Sequence, residues 1–203
     1  MIIAGLTGSI AMGKSETAKQ FIRRGIPVFD SDSVVHQLYA KGGDAVGAVA
    51  KLAPTAIIDH KVDRRLLSQE IRSTPDLLMA IEQAVHPLVR ARQEAFLQKA
   101  RADGHSLVIL DIPLLFETGG DRDVDKIIVV SASPDIQRER AMKRAGMTEG
   151  KLDFILSRQV PDAEKRARAD HIIDTSNSID DSQRQVDLVL SELIGTKGGR
   201  ENA

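Results

Sequence analysis

The chain has 203 residues, 42% of them hydrophobic and 28% charged, enough for one domain with a substantial core and an attached sub-domain. Its 28 Lys+Arg and 29 Asp+Glu nearly cancel to a formal net charge of -1, which excludes a general electrostatic footprint for nucleic acid and a polybasic membrane patch. There is no cysteine, so disulfides, thiolate metal sites and cysteine nucleophiles are excluded, and any phosphate recognition must be local.

The N-terminal run Met1–Leu6 has no basic flank and is too short to span a membrane, which points to a cytoplasmic protein. Short aliphatic runs then alternate with helix-like stretches, the pattern of an α/β fold with a parallel sheet. Strands are expected at Ile2–Leu6, Pro27–Asp30, Leu107–Asp111, Lys126–Ser131 and His171–Asp174. Most are nearly continuous apolar runs, as strands buried on both faces require. Between Ser31 and His105 the sequence shows no convincing strand. Thr74-Pro75-Asp76 opens a long helical pattern toward Arg101 that Pro87 is expected to kink or divide. Ser133-Pro134-Asp135 opens a helix to Arg144, and the last helix runs from about Asp180 to Leu193 before a tail expected to fray from Gly195.

This reading divides the chain into a core at about 1–30, 106–134 and 170–195, a helical insertion at about 31–105, and an arginine-rich helical excursion at about 135–169. Gly8-Ser9-Ile10-Ala11-Met12-Gly13-Lys14-Ser15 matches G-x-x-x-x-G-K-S/T in full, after an expected strand and before an expected helix. Such a loop curls so that backbone N–H groups and a helix N-terminus face phosphate oxygens. Gly8, Ala11, Met12, Gly13, Lys14, Ser15 and Glu16 are the expected ATP-site residues. Lys14 should reach the β/γ-phosphates and the Ser15 hydroxyl should ligate Mg²⁺. Ala11 and Met12 are larger than residues often found there, and Ala11 makes a positive φ costlier.

The acceptor is not encoded in the loop. No N-K-x-D guanine motif exists, which argues against a GTPase. Asp30 and Asp32 at the end of the second strand suit a catalytic base, Mg²⁺ orientation or a helix cap. Asp111, closing an apolar strand, is a second candidate for Mg²⁺, directly or through water. Arg138, Arg140 and Arg144 recur at helical spacing, and Arg140 is the candidate to neutralise a transferring phosphoryl group.

Five blocks in order resemble the dephospho-CoA kinase family. They are Gly5–Ile10 with Gly13-Lys14-Ser15, Asp30-Ser31-Asp32, His86-Pro87-Leu88-Val89, Leu110-Asp111-Ile112-Pro113-Leu114-Leu115-Phe116-Glu117, and Gln159-Val160-Pro161 through Glu164-Lys165 to Ala169-Asp170. The resemblance implies a P-loop kinase fold with a helical acceptor-binding insertion and a helical lid. It implies ATP-dependent phosphorylation of the ribose 3′-hydroxyl of dephospho-CoA, with Asp32 as base and Mg²⁺ accompanying ATP. His86, Arg65 (or Arg64), Leu115 and Phe116 become candidates for acceptor binding, and Glu117 for supporting the loop after the third strand. No nucleic-acid or membrane partner is expected, and the protein is expected to be a monomer or weak homo-oligomer. Ser31, Ala145 and Asp174-Thr175 depart from the family pattern, the last near the expected adenine pocket. Another metabolite kinase, or a nucleotide-dependent switch without an acceptor, remains an alternative.

Overall fold

Ile2–Thr7 (β1) carries no charge and one hydroxyl, so it can be buried from both sides, and it forms the middle of the main sheet. The computed structural model describes residues 1–74 and 76–195, so Pro75 and the tail beyond Gly195, expected to fray, lie outside the described residues. Val28–Asp30 (β2), Leu107–Asp111 (β5), Lys126–Ser131 (β6) and His171–Asp174 (β7) complete a five-stranded parallel sheet in the order β2-β5-β1-β6-β7. β1 pairs in parallel with β5 (Ile2 opposite Leu107) and with β6 (Ala4 opposite Lys126). The carboxyl end of β1 therefore opens between strands reached in opposite directions, where parallel sheets place ligands.

Helices Lys14–Arg23 (α1) and Ile179–Ile194 (α9) contribute Ala18, Phe21, Val186 and Val189 to a core shared with Ala4, Leu6, Leu107, Ile109, Ile128, Val130 and Ile173. Burying each large side chain in this set stabilises the fold by roughly 1.5–3 kcal/mol. Pro134–Met142 (α6), Glu149–Leu156 (α7) and Asp162–Ala167 (α8) follow β6. α6 ends two residues short of the expected Arg144.

The chain divides into two compact units, Met1–Phe29 with 100–195, and Asp30–Lys99. In the second, Ser31–Tyr39 (α2), Val46–Leu52 (α3), Arg64–Ser73 (α4) and most of Leu77–Ala102 (α5) enclose Leu38, Val49, Val62, Leu67, Ile81 and Val85. Pro87, expected to kink or divide the helical pattern, lies inside α5 and does not divide it. A two-stranded antiparallel ribbon, Ile57–Ile58 (β3) and Lys61–Val62 (β4), occupies a stretch expected to hold no strand. Its turn is Asp59-His60, both left-handed at φ 50 and 60. That is the backbone of a tight hairpin without the Asn-Gly signature that announces one.

Candidate active site

The phosphate loop is shaped by two close approaches. A Cβ on Gly8 would stand 2.4 Å from the Val130 carbonyl oxygen, so a side chain is excluded there. Gly13 caps α1 at φ 92, in the left-handed region, with Thr175 so near that a Cβ would meet its Oγ1 at 2.9 Å. Ala11 is also left-handed, at φ 64, so the strain expected from a non-glycine residue is present. Ala11 and Met12 are both buried. The Met12 sulfur accepts the Ala132 N–H at 3.0 Å, which fastens the loop to the end of β6.

Lys14 reaches Asp111 at the end of β5, its Nζ ion-paired with Oδ1. Asp111 is buried, whereas Ser15, next to Lys14 at the helix N-terminus, is exposed. A hydroxyl and a carboxylate are hard oxygen donors that suit Mg²⁺, which keeps waters and takes substrate phosphate oxygens as its other ligands. Among the described residues no group of three or more His, Asp or Glu could hold an ion by itself.

Arg140 stands on the last turn of α6. Its guanidinium donates to Thr175 Oγ1 at 2.9 Å and to the Thr175 carbonyl at 2.7 Å. The Thr175 hydroxyl in turn donates to the Met12 carbonyl at 2.8 Å. Arg140, the phosphate loop and the segment after β7 are thus one hydrogen-bonded assembly. Asp174 beside it is held below the ordinary carboxylate range, chiefly by hydrogen bonding from Ser176, with Arg166 and Arg140 adding positive charge. Gly13, Glu16, Thr17, Gln20, Arg140 and Thr175 line part of a cavity of about 240 Å³ at the start of α1.

Arg138 instead ion-pairs with Glu149 and lies 3.7 Å from Asp153, and so ties α6 to α7. Glu117 accepts the Val160 N–H at 2.9 Å and stands 2.9 Å from the wholly buried ammonium of Lys165. It joins the loop after β5 to the start of α8. Leu115, expected in the acceptor site, has 0% exposure and packs where a Cβ on Gly5 would touch it at 3.0 Å. Phe116 is also buried, with the Arg168 guanidinium 4.2 Å above its ring.

Asp32, Arg65 and His86 belong to the second unit, and all three are exposed. Asp32 stands in the first turn of α2, while Asp30 caps that helix by accepting the Ser33 N–H at 2.9 Å. The paired acids therefore have different local roles. Arg65 stands in the first turn of α4 and donates its backbone N–H to the cap, Asp63, and His86 lies along α5. The sequence reading named Thr175 only as a departure and gave Gln137 and Lys165 no role. Gln137 is buried with its amide on the Ile10 carbonyl, and a buried glutamine or lysine in a polar helix leaves no periodic signal.

The family model for dephospho-CoA kinase matches residues 2–181. The dephospho-CoA kinase of Agrobacterium fabrum is 52% identical over 193 residues, covering 95% of this chain and 98% of that protein. The crystal structure of a Thermus thermophilus protein superposes with a TM-score of 0.83 at 33% identity, covering 95% of this chain and 97% of the other. Dephospho-CoA kinase from Campylobacter jejuni shares the fold, with a TM-score of 0.71 at 22% identity and coverage of 95% and 98%.

Proposed function

This chain belongs to the dephospho-CoA kinase family, and on that premise we propose how its residues divide the work of phosphorylating the ribose 3′-hydroxyl of dephospho-CoA with ATP. The enzyme yields CoA and ADP, the last step of coenzyme A synthesis. The observation that carries the assignment of roles is the Lys14–Asp111 pair at the mouth of the sheet, with Arg140 latched to the phosphate loop through Thr175.

The loop from Gly8 to Ser15 receives the ATP phosphates through its backbone N–H groups, and Lys14 exchanges its hold on Asp111 for the β/γ-oxygens. The cavity beside Gly13, Glu16 and Thr175 receives the nucleoside. Ser15 and Asp111 hold Mg²⁺, which when bound neutralises charge on the β- and γ-phosphates. Asp32 takes the proton of the 3′-hydroxyl as that oxygen bonds to the γ-phosphorus. The bond to the β,γ-bridging oxygen breaks and ADP leaves. Arg140 faces the charge that develops in transfer. Residues 31–105, with Arg65 and His86, bind the acceptor, and residues 135–169 form the lid that excludes water.

A balanced charge supports a protein that works without nucleic acid or a polybasic membrane contact; among the described residues no helix is long and apolar enough to cross a membrane. We place it in the cytoplasm, as a monomer or weak homo-oligomer. The test is ADP release from Mg·ATP with and without dephospho-CoA, alongside Asp32→Asn. Dephospho-CoA-dependent ADP and CoA formation, lost in Asp32→Asn while ADP still binds, is expected. Undiminished turnover in Asp32→Asn removes Asp32 as base. ATP binding that no hydroxyl acceptor stimulates would point to a nucleotide switch.

A further inference from the structure

Two glutamines outside the phosphate loop hold both backbone groups of one residue within it. Gln159, just past α7, accepts the Ile10 N–H through Oε1 at 3.1 Å, and Gln137 on α6 donates from Nε2 to the Ile10 carbonyl at 2.9 Å. The carbonyl held by Gln137 belongs to the peptide that joins Ile10 to Ala11. Fixing that plane fixes one side of the Ala11 φ torsion, which stands at 64°. An alanine resists this torsion because its Cβ crowds the following carbonyl oxygen, whereas a glycine does not. Ala11 is itself buried in a cluster with Ala141 of α6 and Leu152 of α7, so apolar packing holds the loop as well.

We propose that Gln137 and Gln159 are positioning residues that keep the phosphate loop in its nucleotide-receiving shape before nucleotide arrives, against the left-handed strain at Ala11. The proposal rests on the phosphate-loop assignment above. It differs from the ordinary satisfaction of buried backbone groups, because it makes the role of the glutamines depend on which residue occupies position 11.

The test is ADP affinity by titration calorimetry for wild type, Gln137→Leu and Gln159→Leu, each in the Ala11 and the Ala11→Gly background. Melting temperature and KM for both substrates are measured alongside. Each leucine substitution in the Ala11 background is expected to weaken ADP about five- to twentyfold and to raise KM for ATP while leaving KM for dephospho-CoA unchanged. In the Ala11→Gly background the same substitutions should cost less than about threefold, a coupling that only the torsional role predicts. Equal losses in both backgrounds, or no loss in either, overturn the proposal. Gln159→Asn withdraws the acceptor by one methylene while keeping its polarity, and it reads the same loss should Gln159→Leu not fold. Wild-type protein that binds no ADP would sink the nucleotide-site reading and the grip with it. Wild-type binding with unaffected variants overturns the grip alone.

Discussion

Replacing Glu117 by glutamine keeps the volume of the side chain and removes the charge that faces Lys165. The Lys165 side chain is 0% exposed and that of Glu117 13%, with 2.9 Å between nitrogen and oxygen. Glutamine can still accept the Val160 N–H, so the charge itself is what the substitution deletes. An ammonium left buried without its counter-ion costs about 3–5 kcal/mol. In a domain of this length that corresponds to a fall in melting temperature of roughly 6–20 °C. Thermal and urea unfolding at neutral pH read the loss directly. Glu117→Gln combined with Lys165→Met removes the stranded charge as well, and should recover at least half of it. The pH dependence supplies a second reading. Burial works to raise the Glu117 carboxyl, but the Lys165 ammonium and the N–H groups of Glu117 and Val160 outweigh it and hold the group below the ordinary range. A depressed carboxylate contributes stability that is complete above its unfolded value of about 4.3 and fades as pH falls through the lower folded value. The gap between wild type and Glu117→Gln should therefore stay constant down to about pH 5 and close in stronger acid. A loss under about 1 kcal/mol, or a double variant as unstable as the single one, would refute this account of the pair.

Leu115→Ala should lower stability by about 2–5 kcal/mol in the same unfolding assay while KM for dephospho-CoA holds steady. A raised KM with unchanged stability would return Leu115 to the acceptor site. Thr175→Val keeps the shape but deletes the hydroxyl shared by Met12 and Arg140, and should raise KM for ATP about three- to tenfold with KM for dephospho-CoA unmoved. An unaltered KM for ATP would dissociate the latch from nucleotide binding. Chelation with EDTA should bring ADP formation to background and added Mg²⁺ restore it, with little change in the melting of nucleotide-free protein. Full turnover under chelation would exclude Ser15 and Asp111 as ligands of a required ion.

The inner strands β1, β5 and β6 are legible because strands buried on both faces carry almost nothing polar, and the run Leu107-Val108-Ile109-Leu110 has no other use. The β3–β4 ribbon is not, since two residues per strand show no alternation and Asp59-His60 is an unusual left-handed pair. Pro87 leaves two outcomes open in the sequence, a kink or a division of the helix. A proline removes one helical hydrogen bond, and the packing of Val85, Leu88 and Val89 in the second core keeps α5 in one piece. Leu114 and Leu115 are identical letters in one motif, yet one is 42% exposed and the other fully buried; only the packing against Gly5 separates them.

The candidate site divides along the same line. Lys14, Ser15 and Asp111 announce themselves by spacing and by the strand and helix beside them. What holds the loop comes from far along the chain, Gln159 to Ile10 across 149 residues and Thr175 to Met12 across 163, and no local pattern records such bonds. Thr175 shows how a departure from a family pattern can still be read chemically. Where the family resemblance implies Asp-Asn, the chain has Asp174-Thr175, a hydroxyl in place of an amide. A hydroxyl, like an amide, both donates and accepts, and Thr175 uses both capacities, donating to the Met12 carbonyl and accepting from Arg140. Thr175 thus joins Arg140 to the phosphate loop, and Gly13 leaves the space that the Thr175 side chain occupies there.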